Sequence, residues 1–292
     1  MKSLSKTNLR RITEILEATG KCVYTPRDLD QMQRATPGLN KLSLGTFCGI
    51  LVETMKLRHL DLKSANYPKI ARYCRGNLCP YELALTIKPE SYLSHASAAY
   101  LHALLPKEPT FIYVNAEQGP KPRSGSLTQE ALDRSFALKQ RTSNFMYRFN
   151  RWRFVLIRGK HTKGLGVETL RSPSKRALPG TNLERTLIDL VVRTAYAGGV
   201  RRVFEAYCKA RGRASTDKLV ETLEALDFVY PYHQAIGFYM ERAGYAESGL
   251  AALMKLGSHF DFYLTHGIQT RDYDAKWRIY YPAGVFRSAA HS

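Results

Sequence analysis

The sequence predicts an α+β protein in which an N-terminal winged helix-turn-helix precedes a larger mixed α/β C-terminal domain. Two observations lead to this class. The first part of the chain reads as three short helices followed by a two-stranded ribbon, and the remainder mixes helical and strand periodicity. We therefore predict a winged helix-turn-helix over residues 1–80, a C-terminal domain over 81–286 and a disordered tail over 287–292.

The N-terminal elements follow from periodicity and capping residues. Apolar residues at helical spacing in 9–16 predict a first helix, and the Thr-Pro pair at 25–26 is typical of the start of a second. Ser43 is a candidate N-cap for a third helix. Residues 57–63 alternate between apolar and polar side chains, and 70–76 can return as their antiparallel partner. This order is that of a winged helix-turn-helix.

In such a domain the third helix enters the major groove and the ribbon touches phosphates. The outward side chains of the third helix are short and polar, so we expect modest base readout and a larger phosphate contribution. The alternative is a helical packing module whose charges are merely solvated. The predicted DNA contacts are Lys41, Ser43 and Thr46 on the third helix, with Lys56, Arg58, Lys63, Lys69 and Arg72 on the ribbon.

The charge of the chain indicates a polyanionic partner. Lys and Arg number 44 against 25 Asp and Glu, a net charge of +19. Residues 81–216 carry +13 of this excess, whereas residues 217–292 carry −2. Such an imbalance most simply indicates nucleic acid, although a generic solvated basic surface remains an alternative.

The basic residues are densest between residues 139 and 176, where eleven Lys and Arg accompany a single acid, Glu168. Aromatic residues interleave with them in two strand candidates, 144–149 and 152–157. Basic strands with aromatics can form a nucleic-acid surface; alternatively, the aromatics face the core and only the cations meet solvent. The candidate surface residues are Arg148, Arg151, Arg153, Arg158, Lys160 and Lys163.

The best-capped helix of the C-terminal domain begins near Thr181. Thr181 and Glu184 have the spacing of a capping box, and leucines recur behind them at helical spacing. The charged residues, including Arg185 and Asp189, should lie on the opposite side. Gly198-Gly199 separates this helix from the next.

No catalytic or metal-binding pattern is recognisable, so we expect no enzymatic activity, no cofactor and no metal. His95 and His102 lie seven residues apart on a predicted helix, which favours hydrogen-bonded interior histidines over metal ligands. The five cysteines are scattered, no apolar run is long enough for a membrane helix, and no secretory signal is visible. These features indicate a reduced, cytoplasmic protein without membrane contact.

Several stretches together resemble the AbiEi-like antitoxins of abortive-infection AbiE (type IV) toxin–antitoxin systems. They are RYCRG (72–76), YELAL (81–85), YLSHASAAYLHALL (92–105), IYVNAEQ (112–118), TNLERTLIDLVVR (181–193), AYAGGV (195–200), HQAIGFYMERAGY (233–245), FYLTHGI (262–268) and KWRIYYP (276–282). The resemblance implies a winged helix that represses the protein's own operon in phage defence. It also implies a C-terminal domain that opposes a co-encoded nucleotidyltransferase-like toxin, and it supplies no catalytic residues.

Our leading hypothesis is therefore a DNA-binding antitoxin and transcriptional autorepressor. Its expected partners are operator DNA upstream of its own operon, in the form of inverted repeats, and functionally the toxin. The resemblance implies opposition without a stable complex, and direct toxin binding is a further hypothesis. RNA is a second candidate ligand for residues 139–176. The alternative function is a nuclease or nucleic-acid-modifying enzyme targeted by the winged helix, with Glu168 in its site.

Overall fold

The computed structural model describes residues 5–120 and 126–286, which form a mixed α+β protein with several sheets, as predicted. The predicted tail, 287–292, lies outside the described residues. Among the helices described, none is both long and apolar enough to cross a membrane.

The N-terminal elements follow the predicted order of three helices and a ribbon, with one additional short strand. The ribbon strands pair antiparallel, and the added strand pairs with the second of them, giving the order β1-β3-β2. Thr25 and Ser43 cap the second and third helices as predicted. The elements are α1 (Lys6–Ala18), β1 (Val23–Tyr24), α2 (Pro26–Ala35), α3 (Leu44–Thr54), β2 (Arg58–Leu62) and β3 (Ile70–Cys74).

A short helix, α4 (Pro80–Leu85), ties the N-terminal elements to the rest of the chain. The Glu82 carboxylate accepts hydrogen bonds from the backbone N–H groups of Cys22 (2.6 Å) and Val23 (2.8 Å) at the free side of β1. Because Glu82 lies beyond residue 80, a fragment ending at the predicted boundary would leave these buried donors unpaired.

The central element of the C-terminal region is a six-stranded mixed sheet. Its strand order is β6-β7-β5-β4-β9-β8, with β5 parallel to β7 and β4 parallel to β9. The strands and their connecting helices are β4 (Tyr92–Leu93), α5 (His95–Leu101), β5 (Phe111–Glu117), α6 (Gln129–Ala137), β6 (Met146–Phe149), β7 (Trp152–Gly159), β8 (Val167–Arg171) and β9 (Ala177–Thr181).

Helices and a small sheet complete the chain around one large apolar core. The small sheet has the order β10-β12-β11, so the last strand of the chain is the central one. The elements are α7 (Leu183–Val192), α8 (Val200–Ala210), α9 (Thr216–Leu226), α10 (Tyr232–Arg242), α11 (Glu247–Met254), β10 (Phe262–Tyr263), β11 (Arg271–Asp274) and β12 (Ile279–Pro282).

The predicted capping box of α7 is wrong. Asn182 is the N-cap and accepts from the Arg185 N–H at 2.8 Å, because Thr181 is still paired in β9. The Glu184 carboxylate accepts instead from the Ser215 N–H at 3.0 Å and lies 3.3 Å from the Lys218 Nζ. The glutamate therefore joins α7 to α9 rather than closing its own first turn.

Candidate nucleic-acid interface

The outward face of α3 carries small polar side chains. Ser43 and Thr46 are exposed, and the Ser43 Oγ accepts from the Thr46 N–H at 3.1 Å. Lys41, just before the helix, is exposed as well. The structure thus brings the three residues predicted on the third helix together at its N-terminal end, where the helix dipole and a lysine favour an anion.

Four of the five cations predicted on the ribbon are exposed. Lys56 lies between α3 and β2, and Arg58 donates to the Gly76 carbonyl at 2.9 Å. Lys63 follows the end of β2, while the Lys69 Nζ lies 3.2 Å from the Asp61 carboxylate. Exposed ion pairs of this kind are weak, so Lys69 can exchange its partner for a phosphate.

The fifth predicted ribbon cation, Arg72, is buried, which corrects its prediction as a DNA contact. It is only 8% exposed, and its guanidinium donates to the Thr86 carbonyl (2.7 Å), the Thr86 hydroxyl (2.8 Å) and the Ala71 carbonyl (2.7 Å). Burial lowers its pKa from the usual value. Arg72 therefore fastens β3 to the residues after α4 and does not face a phosphate.

The tip of the ribbon is joined to the hairpin β6–β7. Lys63 and Arg148 exchange two backbone hydrogen bonds, of 3.0 and 2.7 Å. The Tyr147 hydroxyl donates to the Pro68 carbonyl at 2.9 Å, and the rings of Tyr67 and Phe145 lie 4.2 Å apart. These contacts hold the exposed side chains of Lys63 and Arg148 on neighbouring strands of a single surface.

A cleft of about 710 Å³ opens along this junction. His59 and Asn150 line it but were not predicted as site residues. The alternation of buried Leu60 and Leu62 in β2 would have placed His59 beside Lys63 on the outward face. The cleft is lined by His59, Asp61, Lys63, Ser64, Ala65, Arg148, Phe149 and Asn150.

The remaining predicted cations of the hairpin differ in whether their side chains already have partners within the protein. Arg158 and Lys163 are exposed. Arg151 pairs with Glu108 and lies over the Trp152 ring at 5.0 Å, while Arg153 donates to the carbonyls of Asn150 and Trp152 at 3.2 Å. Arg148 and Arg158 are thus the arginines of the predicted set without such contacts in the described part of the chain.

Lys160 points away from this surface. Its Nζ donates to the carbonyls of Leu226 (2.7 Å) and Asp227 (2.5 Å) at the C-terminal end of α9. A cation at that end of a helix is stabilising. The structure therefore gives Lys160 a role in fixing the loop after β7, which corrects its assignment to the nucleic-acid surface.

The aromatic residues among the basic strands mostly face inward. Tyr147 is 4% exposed and Phe154 is fully buried, while Phe149 and Trp152 are half-buried. The reading in which aromatics face the core is therefore correct for Tyr147 and Phe154. The candidate interface therefore consists of cations and small polar groups.

Comparison with solved structures finds a similar chain in the RV2827C protein from Mycobacterium tuberculosis. The TM-score is 0.57 at 14% sequence identity, over 96% of this chain and 93% of that one. At this identity the likeness concerns the fold alone. No protein-family model matches the chain, and no curated protein matches it.

The described residues, 5–120 and 126–286, include no group of three or more His, Cys, Asp or Glu side chains arranged to hold a metal ion. His95 is buried and His102 is half-buried, and each is hydrogen-bonded. The His102 Nε2 lies 2.8 Å from the Thr181 carbonyl, and the His95 Nδ1 lies 2.9 Å from the Ser94 hydroxyl. Glu168 is exposed on β8.

His95 gives the protein an expected sensitivity to acid. Burial lowers its pKa to about 4, with Asp189 opposing the shift and Arg193 and Arg185 adding to it. Because the folded pKa lies below the unfolded value of about 6.5, the unfolded chain binds the proton more tightly. Stability is therefore retained above about pH 6.5 and lost towards pH 4, by up to about 3 kcal/mol from this group.

Urea unfolding at a series of pH values between 7 and 4 checks this expectation. A His95→Asn variant keeps a residue that tolerates the left-handed backbone at this position (φ 51°) but removes the titrating group. Its free energy of unfolding should fall less steeply with acid than that of the wild type. Equal slopes in the two proteins would contradict the assignment.

Proposed function

We propose that this protein is a cytoplasmic DNA-binding antitoxin that represses its own operon and opposes a co-encoded nucleotidyltransferase-like toxin. The observation that carries the DNA-binding part is the backbone pairing of Lys63 with Arg148. It joins the ribbon and the hairpin β6–β7 in one basic surface. The toxin-opposing part rests on the resemblance to AbiEi-like antitoxins.

The charge distribution supports contact with the DNA backbone. The first 80 residues carry a net +8 and residues 81–216 a net +13, and the hairpin belongs to the second group. Phosphate contacts from Lys63 and Arg148 would position the protein on the duplex. The small residues at the start of α3 leave room for its backbone to approach the major groove.

The proposal is tested by gel shift with the full-length protein and DNA from upstream of its own gene. The double variant Lys63→Ala, Arg148→Ala should bind this DNA more weakly at a fixed salt concentration. If both side chains contact phosphates, the slope of log affinity against log salt should become shallower by about 1.8, since each contact contributes about 0.9.

A matched control removes two positive charges from the exposed side of α8, with Arg202→Ala and Lys209→Ala. This variant should retain the wild-type slope. Absence of any shift by the wild type at low salt would refute the repressor function. An unchanged slope in the Lys63, Arg148 variant would refute the assignment of the ribbon and the hairpin to one DNA-binding surface.

Full-length protein is required because Glu82 and Thr86, which bind the N-terminal elements, lie beyond residue 80.

A further inference from the structure

Three cations and an aromatic residue on neighbouring strands lie opposite one another in a single row. Lys63, which follows β2, is paired with Arg148 of β6. Arg148 lies opposite Arg153 of β7, and Arg153 lies opposite Phe111 of β5. Because directly opposed residues in a sheet point to the same face, the four side chains share one face. With neighbouring strands about 4.8 Å apart, the row is about 14 Å long.

The other face of these strands is packed into the core, whereas the row is open. In the row, Lys63 and Arg148 are exposed, Phe111 is 45% exposed and Arg153 is half-buried. The adjacent row points to the other face and consists of three buried side chains, those of Tyr147, Phe154 and Ile112. An exposed phenylalanine in line with three cations is therefore a feature of one face of the sheet.

The Phe111 ring lies beside a second ring that is itself held in place. Tyr113, two residues further along β5, is on the same face, and its ring centroid lies 6.4 Å from that of Phe111 with the planes 16° apart. The Tyr113 ring lies 4.8 Å from the ring of Tyr196, which is buried with Val155. Tyr196 thus covers the sheet next to Tyr113, and the open part of this face begins at Phe111.

The row carries positive charge and has no acid among its members. Arg153 donates to main-chain carbonyl groups of its own hairpin, which are neutral. On the same face of β2, Asp61 precedes Lys63 by two residues, but its carboxylate lies 3.2 Å from the Lys69 Nζ. Cations that end at an aromatic ring complement a strand in which phosphates alternate with bases.

We propose that this row, here called the platform (Lys63, Arg148, Arg153 and Phe111), binds single-stranded nucleic acid. The cations contact phosphates, and an unpaired base stacks on the Phe111 ring. The base is unpaired because a duplex presents only base edges in its grooves, whereas stacking requires a free base face. The platform shares Lys63 and Arg148 with the proposed DNA-binding surface, but single-strand binding goes beyond the proposed function and does not depend on it.

The test measures fluorescence anisotropy of labelled oligothymidylate and oligouridylate with full-length protein. We expect both to bind, since every base has a face that can stack. Phe111→Ala should weaken binding about 5- to 150-fold, the range expected for loss of one stacked base. Binding of one oligonucleotide alone would support the platform and identify the sugar that it prefers. Binding of neither at low salt would overturn the proposal.

Variants at the same position separate stacking from a structural role of Phe111. Phe111→Tyr should bind single strands like the wild type, whereas Phe111→Leu, which keeps an apolar side chain, should bind as weakly as Phe111→Ala. Tyr273 of β11 is a matched control, because it is 44% exposed and lies in a different sheet. Tyr273→Ala should retain wild-type affinity. Wild-type affinity of Phe111→Leu would show that no base stacks on the ring and would overturn the proposal.

Two arginines of β7 test the position of the phosphates. Arg153 and Arg158 are an odd number of residues apart on this strand and therefore lie on opposite faces. Arg153→Ala should make the slope of log affinity for oligothymidylate against log salt shallower by about 0.7, the contribution of one phosphate contact to a single strand. Arg158→Ala should keep the wild-type slope. Equal changes in both variants would overturn the assignment of the platform to one face.

Gel shifts with operator DNA separate this proposal from the proposed repressor function. Phe111→Ala should bind the operator duplex like the wild type, since the duplex offers no free base face. Single-strand binding without operator binding would refute the repressor function and support the platform. Operator binding without single-strand binding would refute the platform alone. Equal weakening of both by Phe111→Ala would overturn stacking on an unpaired base.

Discussion

Replacing Asp189 by alanine should lower the free energy of unfolding by about 3–5 kcal/mol, because it leaves the buried guanidinium of Arg185 without its carboxylate partner. The Asp189 Oδ1 lies 2.9 Å from the Arg185 Nε, and these side chains are only 7% and 5% exposed. Arg185 also donates to the Leu165 carbonyl at 2.8 Å. Urea unfolding of the variant and wild type provides the measurement.

The chain contains a matched control for this variant. Arg201 and Glu205 form an ion pair at the same spacing on α8, with N···O at 3.5 Å and side chains 69% and 41% exposed. Glu205→Ala should change stability by about 0.5 kcal/mol or less, as expected of an exposed pair. The double replacement Arg185→Met, Asp189→Leu should recover much of the lost stability. If Asp189→Ala and Glu205→Ala lower the free energy of unfolding by similar amounts, burial does not make the Arg185–Asp189 pair more important than an exposed pair.

Gly237→Ala should destabilise the protein by about 3 kcal/mol or more through overpacking. A Cβ atom at this position in α10 would lie 2.1 Å from the Trp277 Cζ3. The ring is 1% exposed, and its Nε1 donates to the Glu241 carboxylate at 2.8 Å, so it cannot simply turn aside. Denaturant unfolding, followed by Trp fluorescence or circular dichroism, measures the loss.

Gly49→Ala is the corresponding control in α3. A Cβ atom there meets nothing within 4 Å, so the added methyl group should stabilise the helix by up to about 1 kcal/mol. The combination of Gly237→Ala with Trp277→Leu should be less destabilised than expected from the two single changes, since the smaller side chain removes the clash. Strictly additive losses would show that the ring is not the obstacle.

Capping residues show how far local reasoning extends. Thr25 with its following proline and Ser43 cap helices where predicted, since a cap depends on side chains within one turn. The cap of α7 is displaced by one residue because β9 continues through Thr181. A strand partner distant in sequence thus decided which of two adjacent cap-forming residues was used.

Charged residues show where local reasoning ends. Helical periodicity placed Arg185 and Asp189 on the outer side of α7, but that side packs against other parts of the chain and both residues are buried. Arg72 was predicted on an exposed ribbon, yet Thr86 covers it. Both errors have the same origin: periodicity separates the faces of an element without revealing how many of them are covered.

By itself, the sequence determined the α+β class, the order of the N-terminal elements and the concentration of positive charge in residues 1–216. These properties depend on composition and on neighbours within a few residues. Only the tertiary structure decided which cations share a surface, because Lys63 and Arg148 meet through strand pairing between distant segments. It alone brought Glu82 against the backbone of Cys22 and Val23 as well. Such contacts depend on how complete elements pack, and no local pattern encodes them.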